Sequence, residues 1–227
     1  MGQTYTLKLQ NNSTDWVFAV YTMMPTFALS EGNENAGFSL ASQFPIAWLA
    51  KRVNAGNFVE YEWSLDFSVA YAAQGCQAGA KWRGGKPLDM NPNSESQNSA
   101  KLSYSGDYRF ELSSGAHPVK PDELYIDADA TVPQWKPDEG PSVALAIATG
   151  SGGTPTPAIA TDSGPNINHM FTLHPEYYIQ AGRVEQGVMV DITLVTPHQR
   201  VTYSPGVYEA SWTLTPSNTW VAGNQCT

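Results

Sequence analysis

The chain has little positive charge, two cysteines and no long apolar run, and each scarcity removes a class of function. Twelve Lys and Arg stand against 21 Asp and Glu, for a net charge of −9 over 227 residues. No basic cluster is longer than Lys51-Arg52, so a surface that tracks phosphates has little to be built from, and nucleic acid is not an expected partner. No stretch reaches membrane-spanning length, and residues 1–6 carry neither a basic nor an apolar leader pattern. The expectation is a cytoplasmic protein that is not integral to a membrane. Cys76 and Cys226 cannot form a disulfide framework; they are expected as free thiols, with a single bridge between them left open.

Motifs that carry chemistry are missing as well. The four histidines, His117, His169, His174 and His198, include no His-x-His or His-x-x-x-His pair, and neither cysteine lies at zinc-ligand spacing from another ligand. No metal and no cofactor is expected. There is no Gly-x-Ser-x-Gly elbow, and Gly150-Ser151-Gly152-Gly153 is followed by neither Lys-Ser/Thr nor a helical pattern, so it reads as a hairpin loop.

What the chain does have is strand periodicity. Val59, Tyr61, Trp63, Leu65, Phe67, Val69 and Tyr71 alternate with Glu60, Glu62, Ser64, Asp66, Ser68 and Ala70. A run this long exceeds the usual strand of about 5 or 6 residues, which predicts a bulge or a passage between sheets. Tyr5, Leu7 and Leu9, the polar turn Asn11-Asn12-Ser13-Thr14, then Trp16, Phe18 and Val20 predict a hairpin. The two overlapping sequons in that turn read as turn residues. Residues 44–51 have the Ala, Leu and Lys content and the early proline of one short helix. A polar loop follows at 84–98, as a candidate cover over one end of the sheets. Pro118, Pro121, Pro133, Pro137 and Pro141 then leave room only for edge or loop material at 124–128.

From residue 142 onward short strands recur, at 142–149, 158–162, 168–173, 177–181, 188–193, 200–203, 207–214 and 219–222. In the first of them Val143, Leu145 and Ile147 alternate with Ala144, Ala146 and Ala148, which predicts a central strand covered on both faces. The sum is an all-β chain, residues 1–227 as a single-domain antiparallel β-sandwich with one short helix and long loops.

Seven Trp and 11 Tyr supply flat apolar faces with polar edges, the surfaces that suit sugars and small planar ligands. Trp16, Trp63 and Trp212 are in phase with apolar strand faces and read as packing. Trp82, beside Lys81, Arg83 and Gly84-Gly85, and Trp135, among the prolines, are the ones expected to be exposed. Glu60, Glu62 and Asp66 share the polar face of the long strand, the two glutamates about 7 Å apart, a spacing open to paired carboxylates or calcium but ordinary for a solvated face. Asp127 and Asp129 allow the same two readings.

Two stretches carry a resemblance. Phe44-Pro45-Ile46-Ala47-Trp48-Leu49-Ala50-Lys51 and the Trp63-x-x-Asp66-Phe67-Ser68 centre of the long strand resemble the RhiA family, small proteins named for a rhizosphere-expressed member. Asn166-x-Asn168, Phe171-Thr172-x-His174-Pro175-x-Tyr177-Tyr178, Gly187-x-x-x-Asp191-Ile192, Val207-Tyr208 and Asn218-Thr219-Trp220 continue the resemblance to the C-terminal end. It implies a soluble, mostly β protein and brings no established enzymatic activity. Its signature residues, Trp48, Trp63, Asp66, His174 and Tyr178, mark either a pocket or a packed junction between sheets.

Three functional readings follow. The leading one is a non-catalytic β-sandwich that binds a small molecule, carbohydrate or partner surface, with Trp48, Trp82, Trp135 and Tyr178 as candidate contacts. The second is a cofactor-independent isomerase or cyclase with His174 or Asp66 handling a proton. The third is a storage protein that self-associates as a homo-oligomer through an open sheet edge.

Overall fold

Strand periodicity governs the chain throughout the computed structural model, which describes residues 3–23, 26–30, 43–107, 109–120, 122–134, 140–150, 153–190 and 198–223. In chain order the strands are β1 (Thr4–Asn11), β2 (Trp16–Met23), β3 (Thr26–Ser30), β4 (Gln43–Pro45), β5 (Leu49–Val53), β6 (Phe58–Ala72), β7 (Leu88–Met90), β8 (Ser99–Tyr104) and β9 (Phe110–Ser114). There follow β10 (Glu123–Ala128), β11 (Ser142–Thr149), β12 (Pro155–Asp162), β13 (Ile167–Thr172), β14 (Glu176–Gly182), β15 (His198–Val201), β16 (Glu209–Leu214) and β17 (Trp220–Ala222).

These strands build three sheets, and the fold is all-β. The largest runs β17-β16-β1-β6-β11-β12-β4, with β7 also on β6; the second runs β3-β13-β10-β8-β9 and the third β15-β14-β2-β5. Among the described residues, β1 with β16 and β8 with β10 pair in parallel, and the other strand pairs are antiparallel. Leu7, Leu9, Trp63, Val69, Leu145 and Ile147 of the largest sheet share one apolar core with Phe18, Val20 and Ile179 of the third and with Leu102, Ile126 and Phe171 of the second. The layer facing the large sheet is thus divided between two smaller ones.

The long alternating stretch is β6, and it bulges as expected. Ser64 pairs with Ala148 and Phe67 with Ile147, so Leu65 and Asp66 are two extra residues with no partner on β11. Because the insertion is even, the inward phase is the same on both sides of it, and the sequence alternates straight through. β11 lies between β6 and β12, and every residue of it from Ser142 to Ala148 is buried. Its alanine face, with Ala70, Ala72 and Ala160, is covered by Ile46, Trp82 and Met189.

Four expectations are corrected. Residues 44–51 form no helix: β4 ends at Pro45, the Ile46 N–H donates to Ala158 O (2.9 Å) and the Ala47 N–H to Val188 O (2.9 Å), and β5 begins at Leu49. Ile46, Ala47 and Trp48 are all fully buried, which an extended chain covered on both faces allows and a one-faced surface helix does not. There is no hairpin at residues 11–14, because β1 pairs with β6 and β16 whereas β2 pairs with β5 and β14. The turn is a corner between sheets, held by the buried Asn11 amide, which donates to Thr14 O (2.7 Å) and Val53 O (2.8 Å). β10, expected as edge material, lies inside the second sheet between β13 and β8; the prolines that flank it restrict only their own neighbourhoods. Finally, the loop at 84–98 contributes β7, whose Asp89 accepts a hydrogen bond from Ser68 Oγ (2.9 Å).

Candidate functional site

β13 ends where Leu173-His174-Pro175 interrupts the ladder, and β14 starts at Glu176. Alternation along β14 turns Tyr177 into the core and Tyr178 to the opposite face. Register places Tyr177 opposite Val201 and Tyr178 opposite Arg200, while on the large sheet Tyr5 of β1 lies opposite Trp63 of β6. Between these elements opens a cavity of about 570 Å³ lined by Tyr5, Leu65, His174, Glu176, Tyr177, Arg200 and Tyr203, among others. That volume is within the range of small-molecule sites. Leu65 reaches its wall from the β6 bulge, the re-aiming of a side chain that bulges commonly perform.

The apolar side of the cavity is an aromatic stack. Tyr5 lies parallel to Trp63 at 5.9 Å, with interplanar angle 5°, and meets Tyr203 (5.1 Å) and Tyr208 (5.4 Å) edge-on. Tyr177 tilts against Trp63 at 4.9 Å. Burial pushes the Tyr177 and Tyr203 hydroxyls upward, with Tyr177 and Tyr5 adding to the rise at Tyr203, and Tyr5 is raised by burial and then by Tyr208. All three are therefore neutral hydrogen-bonding groups at physiological pH. The Trp63 N–H leans toward the Tyr177 hydroxyl and partly offsets its rise, but short of a full hydrogen bond, so both polar atoms stay buried without a saturating partner.

The other side is polar. Arg200 Nη2 donates to Glu176 Oε1 at 2.6 Å, and the second oxygen of Glu176 accepts from Tyr178 OH at 2.7 Å. His174 Nε2 lies 3.9 Å from Asp122 Oδ2. These pairs are largely exposed, so they add little stability; their consequence is orientation, since a guanidinium and a carboxylate are held at the wall of an aromatic cavity.

Of the residues singled out from sequence, His174 lines this cavity. Tyr178 stacks on Tyr21 behind it (5.4 Å, 10°) and acts on it through Glu176. Trp48 is fully buried against Trp63, edge-on at 5.5 Å. Asp66 is exposed on the bulge and accepts a hydrogen bond from Ser64 Oγ (2.6 Å), and it is not among the lining residues. Trp82, expected to be exposed, is buried: its N–H donates to Ser142 Oγ (3.0 Å) and its ring roofs the alanine face of β11. Trp135 and Cys226 lie outside the described residues, and Cys76 is a free thiol. Glu60 and Glu62 are exposed, Glu60 opposite Lys8, and no group of three or more His, Cys, Asp or Glu among the described residues is placed to hold a metal ion. Asp127 accepts from Ser99 Oγ (3.0 Å) and pairs with His117 Nε2 (3.2 Å).

The bare backbone of Gly84 makes the burial of Trp82 possible. A Cβ there would run into the indole ring and lie 2.8 Å from Tyr71 O. Gly84→Ala is expected to destabilise the fold by about 1–3 kcal/mol in a denaturant titration, and an unchanged midpoint would contradict this packing.

Tyr5, Arg200 and Tyr203 escaped sequence reasoning. Tyr5 read as one more inward strand residue, and nothing local links Arg200 and Tyr203 to residues 174–177; the β14–β15 pairing does.

The comparisons with known proteins agree on one family. Its model, RhiA, matches residues 2–225. Protein RhiA of Rhizobium leguminosarum bv. viciae is 25% identical over 230 residues, an alignment covering 96% of this chain and 86% of the relative. No solved structure matches. With the family model spanning nearly every residue, from before β1 to beyond β17, the chain belongs to the RhiA family.

Proposed function

We propose that this protein is a non-catalytic binder of a small carbohydrate, taken into the tyrosine-walled cavity. The observation that carries the reading is the pairing of Tyr5, Tyr177 and Tyr203 with the Arg200–Glu176 ion pair around a space of about 570 Å³. A pyranose presents C–H faces that pack on aromatic rings and hydroxyls that need both donors and acceptors. Arg200 offers donors and Glu176 acceptors, while Tyr5, Tyr177 and Tyr203 offer aromatic rings. Of the stretch Phe171-Thr172-x-His174-Pro175-x-Tyr177-Tyr178 that carries the family resemblance, residues 173–177 line this cavity.

The test is intrinsic fluorescence during titration with methyl glycosides of glucose, galactose, mannose and N-acetylglucosamine, since Trp63 lies directly behind Tyr5. At least one glycoside is expected to give a saturable change, weakened about tenfold or more by Tyr203→Ala. No saturable change with any of the four, or one that Tyr203→Ala leaves intact, would reject the reading.

A cofactor-independent isomerase or cyclase is the second reading, favoured by one feature: the His174–Asp122 pair at the same cavity, positioned to accept or return a proton. Turnover of a bound compound that is lost in His174→Ala while binding persists would move the assignment to this class.

A further inference from the structure

A second cavity, of about 640 Å³, lies away from the tyrosines, against residues 78–81 and 180–190. Its floor is apolar and fixed. Val184, Val188 and Val190 line it, and the segment 187–190 is pinned from both sides: Gly79 N–H donates to Met189 O (2.8 Å), Met189 N–H to Ala80 O (2.9 Å), and Ala47 N–H to Val188 O (2.9 Å). The rim is charged. Lys81 and Arg183 both line the cavity, and neither has an ion-pair partner among the described residues; Glu185 is the one carboxylate among the described lining residues. Among the described lining residues the balance is positive, on a chain whose net charge is −9.

Two details show that the cations are placed. Gly187 takes φ +86°, and a Cβ there would meet Lys81 Cε at 3.2 Å, so the bare glycine turn carries the lysine stem across it. The Gln180 side chain also lines the cavity, and its Oε1 is buried with no hydrogen-bond partner. A buried amide end without a partner is costly unless something completes it, and the amide can be turned end for end at no cost in shape to present a donor.

We propose that this cavity binds a small aliphatic monocarboxylate, its chain on the valine floor and its carboxylate between Lys81 and Arg183, within reach of the Gln180 amide. An apolar floor alone would accept any greasy molecule; two cations that are unpaired among the described residues select an anion, and among the described lining residues Glu185 offsets one of them. This site is independent of the carbohydrate reading and stands or falls without it.

The test is titration of the isotope-labelled protein with octanoate and with octanamide, followed by amide NMR. Octanoate is expected to shift the Gly79, Gln180, Val184 and Gly187 amides saturably while those of Tyr5 and Tyr203 stay in place. Octanamide is expected to bind at least about tenfold more weakly, and Lys81→Met/Arg183→Met to weaken octanoate by a similar factor with an unchanged melting temperature. Both substitutions are at exposed side chains. Absence of saturable shifts at those four amides, equal affinity for the two probes, or unchanged octanoate binding in the double variant would each overturn the proposal. Shifts confined to Tyr5 and Tyr203 would also overturn it, because they would place the ligand in the other cavity.

Discussion

Trp63→Ala is expected to remove about 3–5 kcal/mol of folding stability. The indole is fully buried, stacks on Tyr5, meets Trp48 edge-on and touches Tyr177 and Tyr203, so its removal empties the point where the large sheet faces the third. It is also the last paired inward residue before the β6 bulge. Guanidinium unfolding of the wild type and the variant measures the difference. A loss under about 1 kcal/mol would contradict the central role given to this ring. Trp63→Phe keeps an aromatic surface and is expected to fall between the two.

Acid should destabilise the protein through His169. The side chain is 1% exposed, its Nε2 lies 2.9 Å from Ser163 Oγ, and burial holds its pKa down to about 4 from the ordinary 6.5. The unfolded chain takes up a proton near pH 6.5 and the folded one only near pH 4. The stability that depends on a neutral His169 is therefore complete above pH 6.5, declines as the pH falls toward 4, and levels off below it. The total is roughly 3 kcal/mol. Other groups contribute to the acid response, Asp129 among them: burial raises its carboxyl, and the Thr131 hydrogen bonds and Lys101 together outweigh that and lower it. Comparison with His169→Gln cancels them. Between pH 7.5 and pH 4 the wild type is expected to lose roughly 3 kcal/mol more than the variant. Equal losses would show that His169 is protonated in the fold.

The fold was legible wherever burial follows alternation. β6, with its bulge, and β11, with its two covered faces, could be read from residues 59–71 and 142–149, because a period of two survives an even insertion and because an Ala/Val/Leu/Ile run has nowhere to expose itself. Residues 44–51 misled because Ala, Leu and Lys describe propensity, whereas the chain there is set by distant partners at Ala158 and Val188. The turn at residues 11–14 misled for a similar reason: a hairpin and a corner need the same polar residues, and only the Asn11 bond to Val53 O, 42 residues away, separates them. The site was less legible still. His174 was visible through the family motif, but Tyr5, Arg200 and Tyr203 meet it only after β1, β14 and β15 have paired. Trp82 looked exposed from its charged and glycine neighbours, yet one of those glycines, Gly84, is what leaves room for its buried ring.

The central claim is that the tyrosine-walled cavity is the binding site, and ring-selective NMR of tyrosine-labelled protein tests it most directly. During titration with the methyl glycosides, the Tyr5, Tyr177 and Tyr203 ring signals are predicted to move together and saturate, while Tyr21 and Tyr125 hold still. Ring signals that stay fixed at Tyr5, Tyr177 and Tyr203 under every glycoside, or that move only at other tyrosines, would contradict it.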